Sequence, residues 1–366
     1  MSEHPPSWAP YMTWAKHHPQ ARFDLQGSNL LACPVEELPG AREVLALSGP
    51  NDEGHPPLLE AIARRYGTVS GRVASAPGAS GANFLALAAL ARPGDTVLVE
   101  WPGYDPHAGA ARLLGLEVRT FSRCFEDGFA LDPGRVQAAL TATTRAVVVS
   151  NPHNPSGVLA APDALAEVGR VAEAAGARVI VDEVYLDGVF DRVVPPAGTL
   201  GDVFITTNSL TKSYGLSGLR AGWVIAAPDV IERVRRVRDV VDAVGAYPSD
   251  VLATLAFQHL DRLRERARSI LLPNMASLAA LVEARPELSW VPPAGGNVAF
   301  PRLVGSHDAG PFVDMARERF GVGVVPGSHF GAPEHFRVAV AGEPATLVAG
   351  LEALGAALDA ARRESC

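Results

Sequence analysis

The middle of the chain alternates at close intervals between short apolar runs rich in β-branched residues and stretches of helical period. Thr96–Glu100 reads as a strand, Pro106–Leu114 as a helix and Leu116–Thr120 as a second strand. Helices around 134–140 and 163–175 then separate apolar runs that end at Asn151 and Asp182. Strands such as Ala146–Val149 are apolar at every position and must be covered on both faces, so the pattern demands a mostly parallel sheet between helices. Ligands in such sheets collect beyond the carboxyl ends of the strands. Tyr104, Asn154, Asp182, Tyr185 and Lys212 all follow strand candidates, so a single site can gather them.

The stretch Ser209-Leu210-Thr211-Lys212-Ser213-Tyr214-Gly215 lies between the apolar runs Asp202–Thr207 and Ala221–Ala226, with Arg220 closing it. A lysine in a loop of hydroxyls and glycines can be desolvated, and desolvation favours the neutral amine that forms Schiff bases. A solvated surface charge is the competing account. Two further stretches bear on the choice: Ser150-Asn151-Pro152-His153-Asn154-Pro155-Ser156-Gly157, and Val181-Asp182-Glu183-Val184-Tyr185.

In this order and at this spacing the three motifs resemble the fold-type I enzymes dependent on pyridoxal phosphate (PLP), of the class I/II aminotransferase family. The resemblance runs from about Leu47 to Gly342. It implies an α/β fold: a large PLP domain built on a mostly parallel sheet of the seven-stranded type flanked by helices, plus a smaller α+β domain. The implied division is an N-terminal arm, 1–45, that joins the small domain; the large domain, 46–265; and the rest of the small domain, 266–366.

By that resemblance Lys212 holds the cofactor as a Schiff base and moves the proton at the substrate Cα. Asp182 supplies the anion that keeps the pyridine nitrogen protonated. Glu183 is rejected because alternation along a strand points it the other way. Asn154 and Tyr185 suit the phenolic oxygen, and the ring of Tyr104 stacks on the pyridine. Ala79 and Ser80, at the start of a glycine-rich helix, bind the phosphate together with Ser209 and Arg220. Arg337, in the apolar run His335–Ala339, takes the substrate carboxylate, with Asn154 beside it. Residue by residue the alternatives are a turn for Asn154, core packing for Tyr185, and ion pairs for Arg220 and Arg337. Trp101 reads as structural, and His107 and His153 as loop histidines.

The expected activity is transfer of the amino group of an α-amino acid to a 2-oxo acid. A PLP-dependent lyase or cyclase is the alternative on the same site, and a catalytically silent PLP-binding regulator a more remote one. Family sites are completed across a two-fold interface, which implies a homodimer. The tyrosine that many members send to the neighbouring phosphate is Gly49 here. A second cation for dicarboxylic donors would fall near Gly245–Ser249, which has none, so a neutral or aromatic donor is expected. Tyr247, Trp14 and Asn297 are candidates for its pocket, and Lys16 or Arg22 for a cation recruited from elsewhere.

Within the arm, Tyr11, Trp14 and Phe23 read as apolar anchors in a segment of little regular structure, and Gln26–Asn29 as a stretch facing the pocket. The net charge of −8 gives no basic footprint for nucleic acid. No apolar run is long enough for a membrane span. Met1–Pro6 lack the basic and apolar segments of a leader, and no metal cluster is expected. The three cysteines, Cys33, Cys124 and Cys366, cannot all pair and are expected to be reduced thiols in a cytoplasmic protein.

Overall fold

The computed structural model describes residues 9–18 and 21–364; Met1–Pro6 and Cys366 lie outside the described residues. The arm holds helix α1 (Pro10–His17) and a short strand β1 (Phe23–Asp24). The chain then runs through α2 (Pro56–Arg65), β2 (Val73–Pro77), α3 (Gly78–Leu90), β3 (Thr96–Trp101), α4 (Asp105–Leu113) and β4 (Glu117–Ser122). Next come α5 (Pro133–Ala139), β5 (Thr144–Ser150), α6 (Pro162–Ala174), β6 (Arg178–Asp182), β7 (Phe204–Ser209) and β8 (Ala221–Ile225). Three helices follow, α7 (Pro228–Val241), α8 (Tyr247–Gln258) and α9 (Leu260–Glu283). The C-terminal part then alternates short strands, β9 (Leu288–Ser289), β10 (Val298–Ala299) and β11 (Arg302–Leu303), with α10 (Gly310–Phe320). It closes with β12 (Val322–Gly323), β13 (Val325–Pro326), β14 (Phe336–Ala339) and α11 (Pro344–Glu364).

Seven strands form one sheet in the order β2-β8-β7-β6-β5-β3-β4. Only β8 runs against its neighbours; the remaining pairings are parallel. The period-two rule explains why both faces are apolar. Val97, Val99, Val148 and Ile180 pack under α3 and α7 on one face. Leu98, Val147, Val149, Val179 and Val181 pack against α5 and α6 on the other. Each such side chain contributes about 1.5–3 kcal/mol when fully buried, so a slip of one residue in register would exchange two complete apolar faces.

A separate core joins the arm to the C-terminal part: Leu25 and Leu30 lie with Ile270, Leu278, Phe312, Val338 and Leu354. The arm is tied there by backbone. Phe23 pairs with Val322 in parallel, and Ala339 N–H donates to Leu25 O at 2.8 Å. Helix α9 links two cores, with Leu263 in a cluster alongside α2 and α8, and Ala267 onward in the C-terminal core.

The arm is more ordered than the sequence suggested, for Pro10–His17 is a helix. Proline opens it, where a missing N–H costs nothing, and Lys16 and His17 sit in its last turn, where cations are favoured.

Candidate active site

The loops after the carboxyl ends of β2, β3, β5, β6 and β7 enclose a cavity of about 310 Å³. Helix α1 and the turn Gly27–Asn29 form its remaining wall. Nine of the ten residues expected to hold the cofactor or the substrate carboxylate line it: Ala79, Ser80, Tyr104, Asn154, Asp182, Tyr185, Ser209, Lys212 and Arg220. Arg337, the tenth, is fully buried just behind the wall.

Lys212 is partly exposed because it borders the cavity, but its amine is enclosed by protein. Nζ donates to Ser28 Oγ at 2.9 Å and to Asn29 Oδ1 at 2.8 Å, neither of them an anion. Burial pushes the amine down to about 7; Arg337 and Arg220 add to the effect, and Asp182 works against it. Asn297 supports the loop from below, its Nδ2 donating to Lys212 O at 2.7 Å and to Ser28 O at 2.9 Å.

Asp182 ends β6, and its Oδ2 accepts from Asn83 Nδ2 at 2.7 Å and lies 3.0 Å from His107 Nε2. Its Oδ1 accepts one long bond, 3.3 Å, from Val184 N–H. His107 is therefore not a loop histidine. It is buried on α4, three residues past Tyr104, and it lines the cavity. His153 does sit in a loop, with Nε2 2.9 Å from Pro102 O and Nδ1 2.7 Å from Ser156 Oγ. Glu183 is buried away from the cavity against Ala197 N–H and Thr206 Oγ1.

At another corner Gly78 opens α3 with φ +75°, a conformation that favours glycine. A Cβ there would run into the Arg220 guanidinium, and a Cβ on Gly222 into the Gly78 backbone. Arg220 itself is left-handed, at φ +50°. No side chain caps α3, so its first-turn N–H groups remain available to an anion.

Asn154 is fixed from the core. The ion pair Arg123–Glu100, at 2.8 Å and fully buried, presents Glu100 Oε1 to the Ser150 N–H and hydroxyl. Ser150 Oγ accepts in turn from Asn154 N–H at 2.9 Å. Arg337 donates to Asn154 Oδ1 at 3.3 Å, to Gln26 O at 3.1 Å and to Tyr11 Oη at 2.5 Å. Tyr11 N–H donates to Asp105 Oδ2 at 2.9 Å, which pins α1 over the cavity, and Tyr104 Oη meets Met12 Sδ at 3.3 Å.

Sequence reading missed Asn83, His107 and the helical contacts Tyr11, Met12 and Ala15. For Asn83 a signal existed: it is the single polar residue in the apolar run Ala82–Leu90. The pocket candidates Tyr247, Trp14 and Asn297 do not line the cavity. Tyr247 packs edge-on to His55 and fills the space a side chain on Gly49 would need, while Trp14 stacks on His18. Of Gln26–Asn29, the last three face the cavity and Gln26 serves Arg337 instead.

The residues present fit pyridoxal phosphate. The cavity holds an amine poised near neutrality, a carboxylate oxygen with one long bond, and an uncapped helix start beside an arginine. The Tyr185 hydroxyl is buried with only the Ser28 hydroxyl near it, which leaves it hydrogen-bonding capacity for a ligand. Fold and site together define a PLP-dependent transferase.

Comparison with known proteins gives the same class. The family model described as aminotransferase class I and II matches residues 35–354. Capreomycidine synthase of Streptomyces vinaceus is 32% identical over 94% of this chain and 92% of its own length. A probable N-succinyldiaminopimelate aminotransferase of Mycobacterium tuberculosis is 31% identical over 78% of this chain and 75% of its own. The crystal structure of a PLP-dependent aminotransferase from Streptococcus suis superposes with a TM-score of 0.90 at 28% identity, covering 98% of this chain and 99% of that one. The chain belongs to the class I and II aminotransferase family. It is a PLP-dependent aminotransferase, moving an amino group between an amino acid and a 2-oxo acid.

Proposed function

We propose that Lys212 carries the pyridoxal phosphate and moves the proton at the substrate Cα. One observation carries this reading: the Lys212 amine and the Arg220 guanidinium, from the loop between β7 and β8, and the Asp182 carboxylate, from the end of β6, converge on one cavity. When bound, pyridoxal phosphate supplies an electron sink for the charge left at Cα. An amine poised near 7 accepts a proton and returns it with little penalty in either direction. Asp182 provides the anion for the pyridine nitrogen, Asn154 and Tyr185 hold the phenolic oxygen, and the Tyr104 ring covers one face. Ala79, Ser80, Ser209 and Arg220 hold the phosphate. Arg337, with Asn154, binds the substrate carboxylate, and α1 keeps water out. Borohydride treatment of the PLP-loaded enzyme, followed by peptide mapping, tests the central assignment. A reduced adduct on any residue but Lys212 would sink it.

We read the donor as an α-amino acid with a neutral side chain. Among the described residues the cavity wall carries only Lys212 and Arg220 as lysine or arginine, while Lys16 and Arg22 are exposed and do not line it. Tyr11, Met12 and Ala15 offer a largely apolar wall. A distal carboxylate buried there would lose several kcal/mol for want of a partner, by order of magnitude. A kcat/KM for aspartate about a hundredfold above that for leucine or phenylalanine would refute this.

The similarity to capreomycidine synthase favours a cyclase as the second reading. Incubation with amino acid alone separates the two: release of one 2-oxo acid per enzyme site marks transfer, and a cyclised product marks the alternative. We further read 46–265 as the unit holding the cofactor and 1–45 with 266–366 as the unit covering it. The chain works as a homodimer in the cytoplasm. Exposed Leu45, Leu47, Val240 and Val241 support an interface, and the free thiols Cys33 and Cys124 suit a reducing compartment. Sedimentation of an active monomer would overturn the dimer, and fractionation outside the cytoplasm the location.

A further inference from the structure

Asp182 is held by a small buried frame drawn from three other elements. Asn83 reaches it from α3, His107 from α4, and Thr207 lies beside it in the sheet, paired in register across β6 and β7. Thr207 does not touch the carboxylate. Its hydroxyl donates to Asn83 Oδ1 at 2.6 Å, and Asn83 Nδ2 donates onward to Asp182 Oδ2 at 2.7 Å. All four side chains are buried.

An amide has a donor end and an acceptor end, and only the donor end suits a carboxylate. Reversing Asn83 would set two acceptor oxygens against each other. With Nδ2 committed to Asp182, Oδ1 needs a donor, and leaving it buried and unsatisfied would be costly and would free the amide to swing. Thr207 meets that need. Since Oδ2 takes both Asn83 and His107, Oδ1 is left with its single long bond from Val184.

We propose that Asn83, set by Thr207, is a positioning residue that fixes which oxygen of Asp182 meets the cofactor and how far that oxygen lies from the phosphate cradle. This rests on the reading that Asp182 faces the pyridine nitrogen. The same rigid helix carries both functions: Ala79 and Ser80 open α3, and Asn83 follows Ser80 about 4.5 Å along its axis. One helix thereby gauges the two ends of the cofactor against each other.

The test compares Asp182→Ala, Asn83→Ala, Thr207→Val and the last two combined. Four quantities are measured: PLP affinity of the apoenzyme, the pH profile of the bound cofactor's visible band, kcat against KM, and Tm. Asn83→Ala is expected to weaken PLP binding and lower kcat by about tenfold each, with donor KM nearly unchanged, and to shift the band's pH midpoint in the same direction as Asp182→Ala. Thr207→Val should act more weakly in the same direction, and should add nothing once Asn83 is alanine. A change in Tm alone, with band, affinity and kcat intact, would overturn the proposal. So would full additivity of Asn83→Ala and Thr207→Val. If Asn83→Ala does not fold, Thr207→Val decides by itself, and an unshifted band refutes. An Asp182→Ala enzyme with an unaltered band would instead overturn the underlying assignment of Asp182, a result distinct from a silent Asn83.

Discussion

The two ends of the cavity are built in different ways. At the cofactor end, Ala79, Asp182, Ser209 and Lys212 each stand within a few residues of a strand in the seven-stranded sheet. The sheet's apolar ladder fixes their backbones before any side chain is chosen. At the substrate end the key contacts span the chain: Arg337 reaches Tyr11 across 326 residues and Gln26 across 311. Those contacts depend on an arm that docks through a parallel pair, β1 with β12, and one carboxylate, Asp105. A scaffold-borne end suits a resident cofactor, and an end closed by a docked arm suits substrates that must enter and leave.

If this contrast is right, the two ends fail separately. If Lys212 carries the proton as proposed, Lys212→Ala should lower kcat on the order of 10⁴-fold or more, with Arg337 and its partners undisturbed. Assay of single turnovers with pre-bound PLP checks it; residual activity within a hundredfold of wild type, by about 3 kcal/mol, would remove Lys212 from the reaction.

The next effect compares two arginines. Arg337→Gln should reduce kcat/KM by about 10²–10³-fold, since it breaks a buried charged contact worth about 3–4 kcal/mol, and should leave PLP affinity intact. Arg220→Gln should do the reverse, weakening PLP binding first. Titration of the apoenzyme beside steady-state kinetics separates them, and a loss of both properties in both variants would erase the distinction between the ends.

Tyr11→Phe is milder. It deletes the hydroxyl that Arg337 holds at 2.5 Å, but keeps the ring against Phe330 and Tyr104. A change of about tenfold in donor KM is expected, with the cofactor's spectrum unmoved. A spectral change would show that α1 also shapes the cofactor end.

What could be read from sequence follows the same divide. The strands around Val97, Val148 and Ile180 were legible because period and residue type are local properties, and the motif residues lie close to those strands. Helix α1 was not, because at eight residues it is too short to show a helical period and its order comes from docking onto Phe330, Tyr104 and Arg337. His107 was misread although it falls inside the expected helix Pro106–Leu114: which face of that helix turns inward depends on how it docks, and a residue three past Tyr104 lies on the buried face. Asn297 was named for the donor pocket, but its support of the Lys212 loop had no local signal, since its partners Ser28 and Lys212 lie far off in sequence.

The smallest effect distinguishes two buried histidines, one on each side of this divide. Burial pushes both His153 and His335 down to about 4, with the nearby cations Arg123 and Arg302 acting in the same direction. The folded values lie below the unfolded value of 6.5, so each group's contribution is complete above about pH 6.5 and is lost as pH falls towards 4, where the unfolded chain has taken up a proton that the folded one refuses. Their surroundings differ. His153 uses both ring nitrogens, on Pro102 O and Ser156 Oγ, whereas neither nitrogen of His335 makes a hydrogen bond and its ring lies stacked on Phe300 at 4.6 Å. Either histidine replaced by leucine should flatten the acid limb, recovering about 1 kcal/mol near pH 5.5. At pH 7.5 they should part: His153→Leu strands a buried carbonyl and a hydroxyl and should cost about 1–3 kcal/mol, while His335→Leu forfeits ring packing and a 3.4 Å contact of Nδ1 with the half-buried Glu334 carboxylate and should cost less. Urea unfolding at the two pH values decides the matter. Equal losses at pH 7.5 would mean that the His153 hydrogen bonds contribute nothing, and that the rigidity of the cofactor end comes from the sheet alone.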